Sequence, residues 1–151
     1  MDHPIVLGYD GSTCSAAALD EALALAHDLK DSEILMVYCH EPPPGLACAL
    51  DPSCAAAKEL RDYESRVRGE VEPLLEAAAA QARETGVRTK VVMAWDEPVH
   101  ALIEVARAHG SRIIVVGSHR KRPFSGTLGR NTPYELLHRS DIPVMVVPHR
   151  V

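Results

Sequence analysis

The sequence predicts an α/β fold: an open five-stranded parallel sheet, doubly wound, with helices on both faces. Three observations predict it. Five short runs rich in β-forming apolar residues recur along the 151 residues. Amphipathic stretches with a three-or-four apolar spacing alternate with them. The apolar runs are continuous rather than alternating, as strands buried on both faces must be. Alternation of this kind selects a parallel sheet covered on both sides.

The first run, Pro4 to Tyr9, ends in the turn signal Asp10-Gly11-Ser12. Ser12 or Thr13 can cap the helix that follows, whose apolar face is Leu19, Ala22, Leu23, Ala26 and Leu29. Ile34 to Cys39 is the second strand. Residues 40–54 hold four prolines and one glycine, so they read as a loop. A long helix follows from about Ala55 to Glu84, with Leu60, Tyr63, Val67, Val71, Leu74 and Ala78 on its apolar face. Pro73 opposes the carbonyl of Gly69, which predicts a kink or break. Val87 to Ala94 is the third strand. Pro98 suits a first helical position with Asp96 or Glu97 before it, and Val99, Leu102, Ile103 and Ala106 form the stripe up to Gly110. Ile113 to Val116 is the fourth strand, ending at Gly117. Thr132-Pro133-Tyr134-Glu135 combines a cap, a proline and a capping-box glutamate, and Val144 to Val147 is the last strand.

Length and composition bound the function. The chain suits one domain over residues 1–151, with 46% hydrophobic and 25% charged residues. No apolar run approaches the roughly 20 residues of a membrane span, and Met1-Asp2-His3-Pro4 opens no secretory signal. A cytoplasmic location is therefore expected, with no membrane partner. Residues 1–106 carry 8 basic and 19 acidic side chains, a net of −11, whereas residues 107–151 carry 8 basic and 2 acidic, a net of +6. The acidic total argues against general nucleic-acid binding. The basic carboxyl third can receive a small anion or be plain solvated surface.

In such a sheet, ligands bind beyond the carboxyl ends of the strands, where strand order reverses. Gly8-Tyr9-Asp10-Gly11, Cys39-His40 and Gly117-Ser118-His119 converge there. Asp10 can accept from an adenine amino group or a ribose hydroxyl, or it can simply shape the turn. The basic run His119-Arg120-Lys121-Arg122, together with Arg130 and the capped helix at Thr132, suits an anion. Standard phosphate loops and a G-x-S-x-G elbow are absent. No catalytic base, nucleophile or metal cluster stands out, although His100 and His119 have the right residue type for a base. Cys14, Cys39, Cys48 and Cys54 contain no C-x-x-C pair and read as free thiols, with Cys48 and Cys54 a candidate redox pair in the 40–54 loop.

Three segments resemble the universal stress protein family. They are Ile5-Val6-Leu7-Gly8-Tyr9-Asp10-Gly11-Ser12, Ile113-Ile114-Val115-Val116-Gly117-Ser118-His119, and Ile142-Pro143-Val144-Met145-Val146-Val147. The resemblance implies flavodoxin-like layering with strand order 3-2-1-4-5 and a homodimer through the last strand, residues 142–148. It also implies a site for ATP or another adenine nucleotide, with or without magnesium. The base and ribose would lie near Tyr9, Asp10, Gly11, Cys39, Val116, Gly117 and Ser118, and the phosphates near Arg120, Arg130, Asn131 and Thr132. The chain departs from the nucleotide-binding pattern G-x-x-G-x9-G-[ST]. Counted from Gly117, the later positions fall on Arg120, Arg130 and Asn131, although a small shift of register brings Gly129 and Thr132 near the required places. Arginine there either blocks phosphates or supplies charge in place of backbone donors. A regulatory binding protein is the leading expectation. The alternatives are a protein-interaction or thiol redox-sensing dimer that binds no nucleotide, and a slow nucleotide hydrolase.

Overall fold

The structure, a computed structural model, describes residues 3–30, 32–43, 56–118 and 132–148. Elements alternate as β1 (Ile5–Gly8), α1 (Thr13–Asp28), β2 (Ile34–Cys39), α2 (Ala56–Glu84), β3 (Thr89–Ala94), α3 (Pro98–Ala108), β4 (Ile113–Ser118), α4 (Thr132–Arg139) and β5 (Val144–Pro148). The sheet order is β3-β2-β1-β4-β5 and every pairing is parallel. Fold class and strand order are those expected.

Strand pleating divides the core into two layers. Ile5, Leu7, Ile34, Met36 and Val115 point to one face and meet Ala18, Ala22 and Ala26 of α1 and Ala79 of α2. Val6, Leu35, Val37, Ile114 and Val116 point to the other and meet Val99, Leu102, Ile103 and Ala106 of α3 and Leu136 of α4. The chain winds from β1 to β3 along one direction, then crosses to β4 and β5 on the other side of β1. The reversal lies between β1 and β4, and this fixes where the crevice opens.

Both helix starts with a described cap follow the expected chemistry. The Ser12 side chain accepts from Ser15 N–H, and Glu97 caps α3 by accepting from Val99 and His100 N–H. Two helical faces differ from expectation. On α1 the fully buried line is Cys14, Ala18, Ala22 and Ala26, while Leu19, Leu23 and Leu29 flank it half-buried. Small side chains at every fourth position let the helix lie close to the sheet, and the leucines fill its margins. On α2 the helix runs unbroken through Pro73. Its inner face continues from Val67 to Leu75, Ala79 and Ala82, leaving Leu74 71% exposed and Leu75 2% exposed. A step of four from Val71 replaces the step of three. Both steps suit an α-helix, and packing decides between them.

Strand bounds shift slightly. β3 begins at Thr89 because Gly86, at φ +90°, still turns the chain out of α2. β4 extends to Ser118 because Val147 and Pro148 of β5 pair with Gly117 and Ser118.

The neighbouring leucines give a direct test of the α2 register. Leu75→Ala is expected to cost about 2–4 kcal/mol, and Leu74→Ala about 0.5 kcal/mol or less. Urea unfolding of the two variants measures the difference.

Candidate functional site

The carboxyl ends of β1, β2 and β4 share one edge of the sheet. Tyr9 extends β1 by one ladder bond, its N–H donating to Val37 C=O at 2.9 Å. Asp10 follows, exposed, with one carboxylate oxygen accepting from Ser12 N–H at 2.9 Å. Gly11 takes φ +82°, a conformation that L side chains rarely adopt. The Asp10 carboxylate is thus held at the crevice by a turn that leads straight into the Ser12 cap of α1.

The opposite lip is Gly117-Ser118 at the end of β4. A Cβ on Gly117 would lie 2.4 Å from the Cys14 carbonyl oxygen and 2.7 Å from its carbon. Only glycine lets the first turn of α1 rest on β4. The one glycine that matches the nucleotide-binding pattern is therefore required by helix packing in its own right. Val116 is buried against α3 and offers the crevice only its backbone.

The expected site residues do not all face the same space. Tyr9 packs against the α1–α2 layer, whereas Cys39 packs against the α3–α4 layer. The Cys39 thiol sits 4.0 Å from the Pro98 carbonyl, and its pKa is pushed up to about 12, chiefly by burial and then by the Asp96 and Glu97 carboxylates. It is a neutral, weakly polar wall and a poor nucleophile. Thr132 begins α4 and is half-buried. Arg120, Arg130 and Asn131 lie outside the described residues, as do His119, Cys48 and Cys54.

Two constellations escaped the sequence reading. The first is a cluster over the ends of β2 and β3. Tyr38 Oη lies 3.1 Å from His40 Nδ1, and His40 Nε2 lies 2.5 Å from Tyr63 Oη of α2. Trp95 meets the His40 ring edge-on at 5.8 Å, and Arg68 lies over the Trp95 ring. The period of two puts Tyr38 and His40 on one face, but nothing local says that Tyr63 lands beside them. Burial raises the Tyr38 pKa, and the charge of Asp10 adds to this, followed by Tyr63 and Cys39. The second is the pair formed by Asp96, just before the α3 cap, and His100 in the first turn of α3, where Asp96 Oδ2 meets His100 Nδ1. The contact lowers the Asp96 pKa and raises that of His100. Any stabilisation from His100 is thus fully present below its ordinary pKa and fades as pH rises through the raised value. Exposure to solvent keeps it small. Arg139 of α4 reaches Glu97 and Glu135, both at 3.6 Å, and ties α4 to the α3 cap.

A hollow of about 440 Å³ lies at the other edge of the sheet, lined by Glu33, Arg83 and Lys90 among others. Its charges are matched locally, Lys90 to Glu33 at 2.8 Å and Arg83 to Glu76 at 3.2 Å. It is remote from the strand-order reversal. Among the described residues, no group of three or more His, Cys, Asp or Glu side chains is placed to hold a metal ion, and no helix is long and apolar enough to cross a membrane.

These features define a doubly wound α/β protein whose strand order reverses between β1 and β4. The sequence model of the universal stress protein family matches residues 1–148, and the chain belongs to that family. Universal stress protein YxiE of Bacillus subtilis is 26% identical over 148 residues, covering 97% of this chain and 99% of that protein. Among solved structures, hypothetical protein MJ0577 superposes with a TM-score of 0.80 at 19% identity, covering 100% of this chain and 99% of that one. A universal stress protein solved in complex with cAMP superposes with a TM-score of 0.68 at 24% identity, covering 96% of each chain.

Two outcomes test the site geometry. Gly117→Ala is expected to destabilise the fold by about 1–3 kcal/mol, because a backbone must move to admit the methyl group; urea unfolding measures it. Iodoacetamide at pH 8 is expected to alkylate Cys39 on the order of a hundredfold more slowly than a free peptide thiol. Asp96→Asn should speed the reaction, since removing a negative charge lowers the thiol pKa. Peptide mapping by mass spectrometry separates Cys39 from the other cysteines.

Proposed function

We propose that this chain is a single-domain, cytoplasmic regulatory protein of the stress response that binds an adenine nucleotide, ATP included, with or without magnesium. One observation carries the reading: the Asp10 turn follows β1 and Gly117-Ser118 ends β4, the two neighbouring strands between which the strand order reverses. The cAMP complex of a family relative supports an adenine ligand. In this reading the Asp10 carboxylate accepts from a ribose hydroxyl or the base amino group. Gly11, Cys39, Ser118 and the Val116 backbone border the nucleoside in this reading, and Tyr9, whose ring packs in the α1–α2 layer, offers its backbone. Thr132 at the start of α4 receives the phosphates, with Arg120, Arg130 and Asn131 replacing the glycines and hydroxyl of the family loop.

The charge pattern supports this division of labour. The described part of the mouth carries the carboxylates of Asp10, Asp96 and Glu97 and so suits hydroxyl and amino donors. The arginines that would meet phosphate all belong to the basic carboxyl third. Cys14 and Cys39 are thiols and not disulfides, in keeping with a reducing compartment. β5 is an edge strand paired on one side with β4. An apolar edge of this kind invites a second copy, and in this reading residues 142–148 pair across a homodimer.

Calorimetric titration with ATP and Mg²⁺ tests the site. Saturable binding is expected, weakened at least about tenfold by Asp10→Ala, the loss of a charge-assisted hydrogen bond. No heat up to millimolar ATP would place the chain in the branch of the family that binds no nucleotide. Light scattering at micromolar concentration is expected to give the mass of a dimer; a monomer mass would remove the β5 pairing.

A further inference from the structure

The aromatic cluster over the ends of β2 and β3 takes no part in the nucleotide reading. Its members are Tyr38, His40, Tyr63 and Trp95, all half-buried. His40 is the centre. Its ring lies 6.0 Å from that of Tyr38, 5.6 Å from that of Tyr63 and 5.8 Å from that of Trp95, centroid to centroid. Three π-systems thus meet one imidazole. Trp95 is the single tryptophan of the chain.

The hydrogen bonds set this cluster apart from plain packing. His40 Nδ1 lies 3.1 Å from Tyr38 Oη, and Nε2 lies 2.5 Å from Tyr63 Oη. A neutral imidazole has one N–H and one lone pair, so one of the two hydroxyls donates to the ring. The shorter contact assigns that role to Tyr63, and the Nδ1 proton then goes to Tyr38. A phenol that loses an electron becomes a strong acid and sheds its proton. Tyr63 has a base within hydrogen-bond reach, along a bond already formed. After the transfer His40 is an imidazolium that donates to both oxygens, so no hydrogen bond of the chain breaks.

We propose that the cluster is a one-electron relay, in which an oxidising radical from solution takes an electron from Trp95 and the vacancy passes to Tyr63, with His40 as the proton acceptor. The oxidant gains one electron and leaves the indole as a radical cation. That cation takes one electron from Tyr63 and is restored to neutral tryptophan. The Tyr63 hydroxyl proton moves to His40 Nε2, leaving a neutral phenoxyl radical beside an imidazolium. The Arg68 guanidinium carbon lies 5.8 Å from the Trp95 ring centroid, and a cation there opposes positive charge on the indole. The charge ends instead on His40, where two oxygens accept its protons. The relay is independent of the nucleotide and uses no residue assigned to it.

Pulse radiolysis of the full chain with azide radical, which oxidises tryptophan in preference to tyrosine, tests the relay. Time-resolved absorption follows the indole radical and the phenoxyl radical separately. Phenoxyl is expected to grow as the indole radical decays, at a first-order rate that does not change with protein concentration. Tyr63→Phe keeps the ring and is expected to slow that growth by about tenfold or more. His40→Gln keeps a hydrogen-bonding side chain but no base, and is expected to slow it by about tenfold or more. Tyr134→Phe removes the hydroxyl of an exposed ring on α4 and is expected to leave the rate unchanged. The relay is overturned if no phenoxyl forms within the life of the indole radical, or if its rate rises with protein concentration. It is equally overturned if Tyr63→Phe or a folded His40→Gln keeps the wild-type rate. Circular dichroism checks folding, and Tyr63→Phe, which removes one hydroxyl only, decides the relay should His40→Gln unfold.

Discussion

The crevice depends on the close approach of α1 to β4 at Gly117. Cys14 backbone atoms fill the space that any side chain at 117 would need. That contact, with the small-residue line Cys14, Ala18, Ala22 and Ala26, sets the height of α1 above the sheet. The height in turn sets where the Asp10-Gly11-Ser12 turn can sit, because that turn is the lead-in to α1. A bulkier residue at any of these points would lift the helix and carry the Asp10 carboxylate away from β4. Packing and site geometry are one constraint here, and the glycine serves both.

The electrostatics follow from topology. Parallel strands bring every carboxyl end to one edge, and with them the caps that start the next helices. Caps are acidic or hydroxyl-bearing for reasons of helix chemistry, so Asp10, Ser12, Asp96 and Glu97 gather at the same rim. The rim therefore accepts hydrogen bonds, and its Asp96 and Glu97 carboxylates add to the rise in the Cys39 pKa that burial chiefly causes. Carboxylates so placed repel a phosphate unless basic groups offset them. The aromatic cluster of Tyr38, His40, Tyr63 and Trp95 sits beside this rim on the α2 side. It joins β2 to α2 through the His40–Tyr63 hydrogen bond.

Much of this was legible in the residues, and the reasons differ from place to place. Continuous apolar runs such as Ile34 to Cys39 marked buried strands because parallel strands are covered on both faces. Pro98 after Glu97 marked a helix start because both suit the first turn. The sequence pattern puts Leu74 on the buried face and Leu75 takes that place, since steps of three and four both fit a helix and only the neighbouring layer tells them apart. Gly117 could be seen as special, but the reason was hidden, because the Cys14 carbonyl approaches from a hundred residues away in sequence. Tyr63 and His40 looked like a helix-face aromatic and a loop residue; their hydrogen bond arises only when α2 lies over β2.

By itself, the sequence determined the kind of protein: nine alternating elements, a parallel sheet, helices on both faces, and an edge where Asp10, Cys39 and Gly117 come together. These are properties of local period, propensity and caps, each readable within a dozen residues. Tertiary structure alone decided the helical face used after Pro73, the packing of Tyr9 and Cys39 on opposite sides of the sheet, the demand for glycine at 117 and the Tyr38–His40–Tyr63 chain. Each of these is a contact between elements distant in sequence. Its sign depends on distances of a few ångströms between surfaces, and no local pattern encodes them.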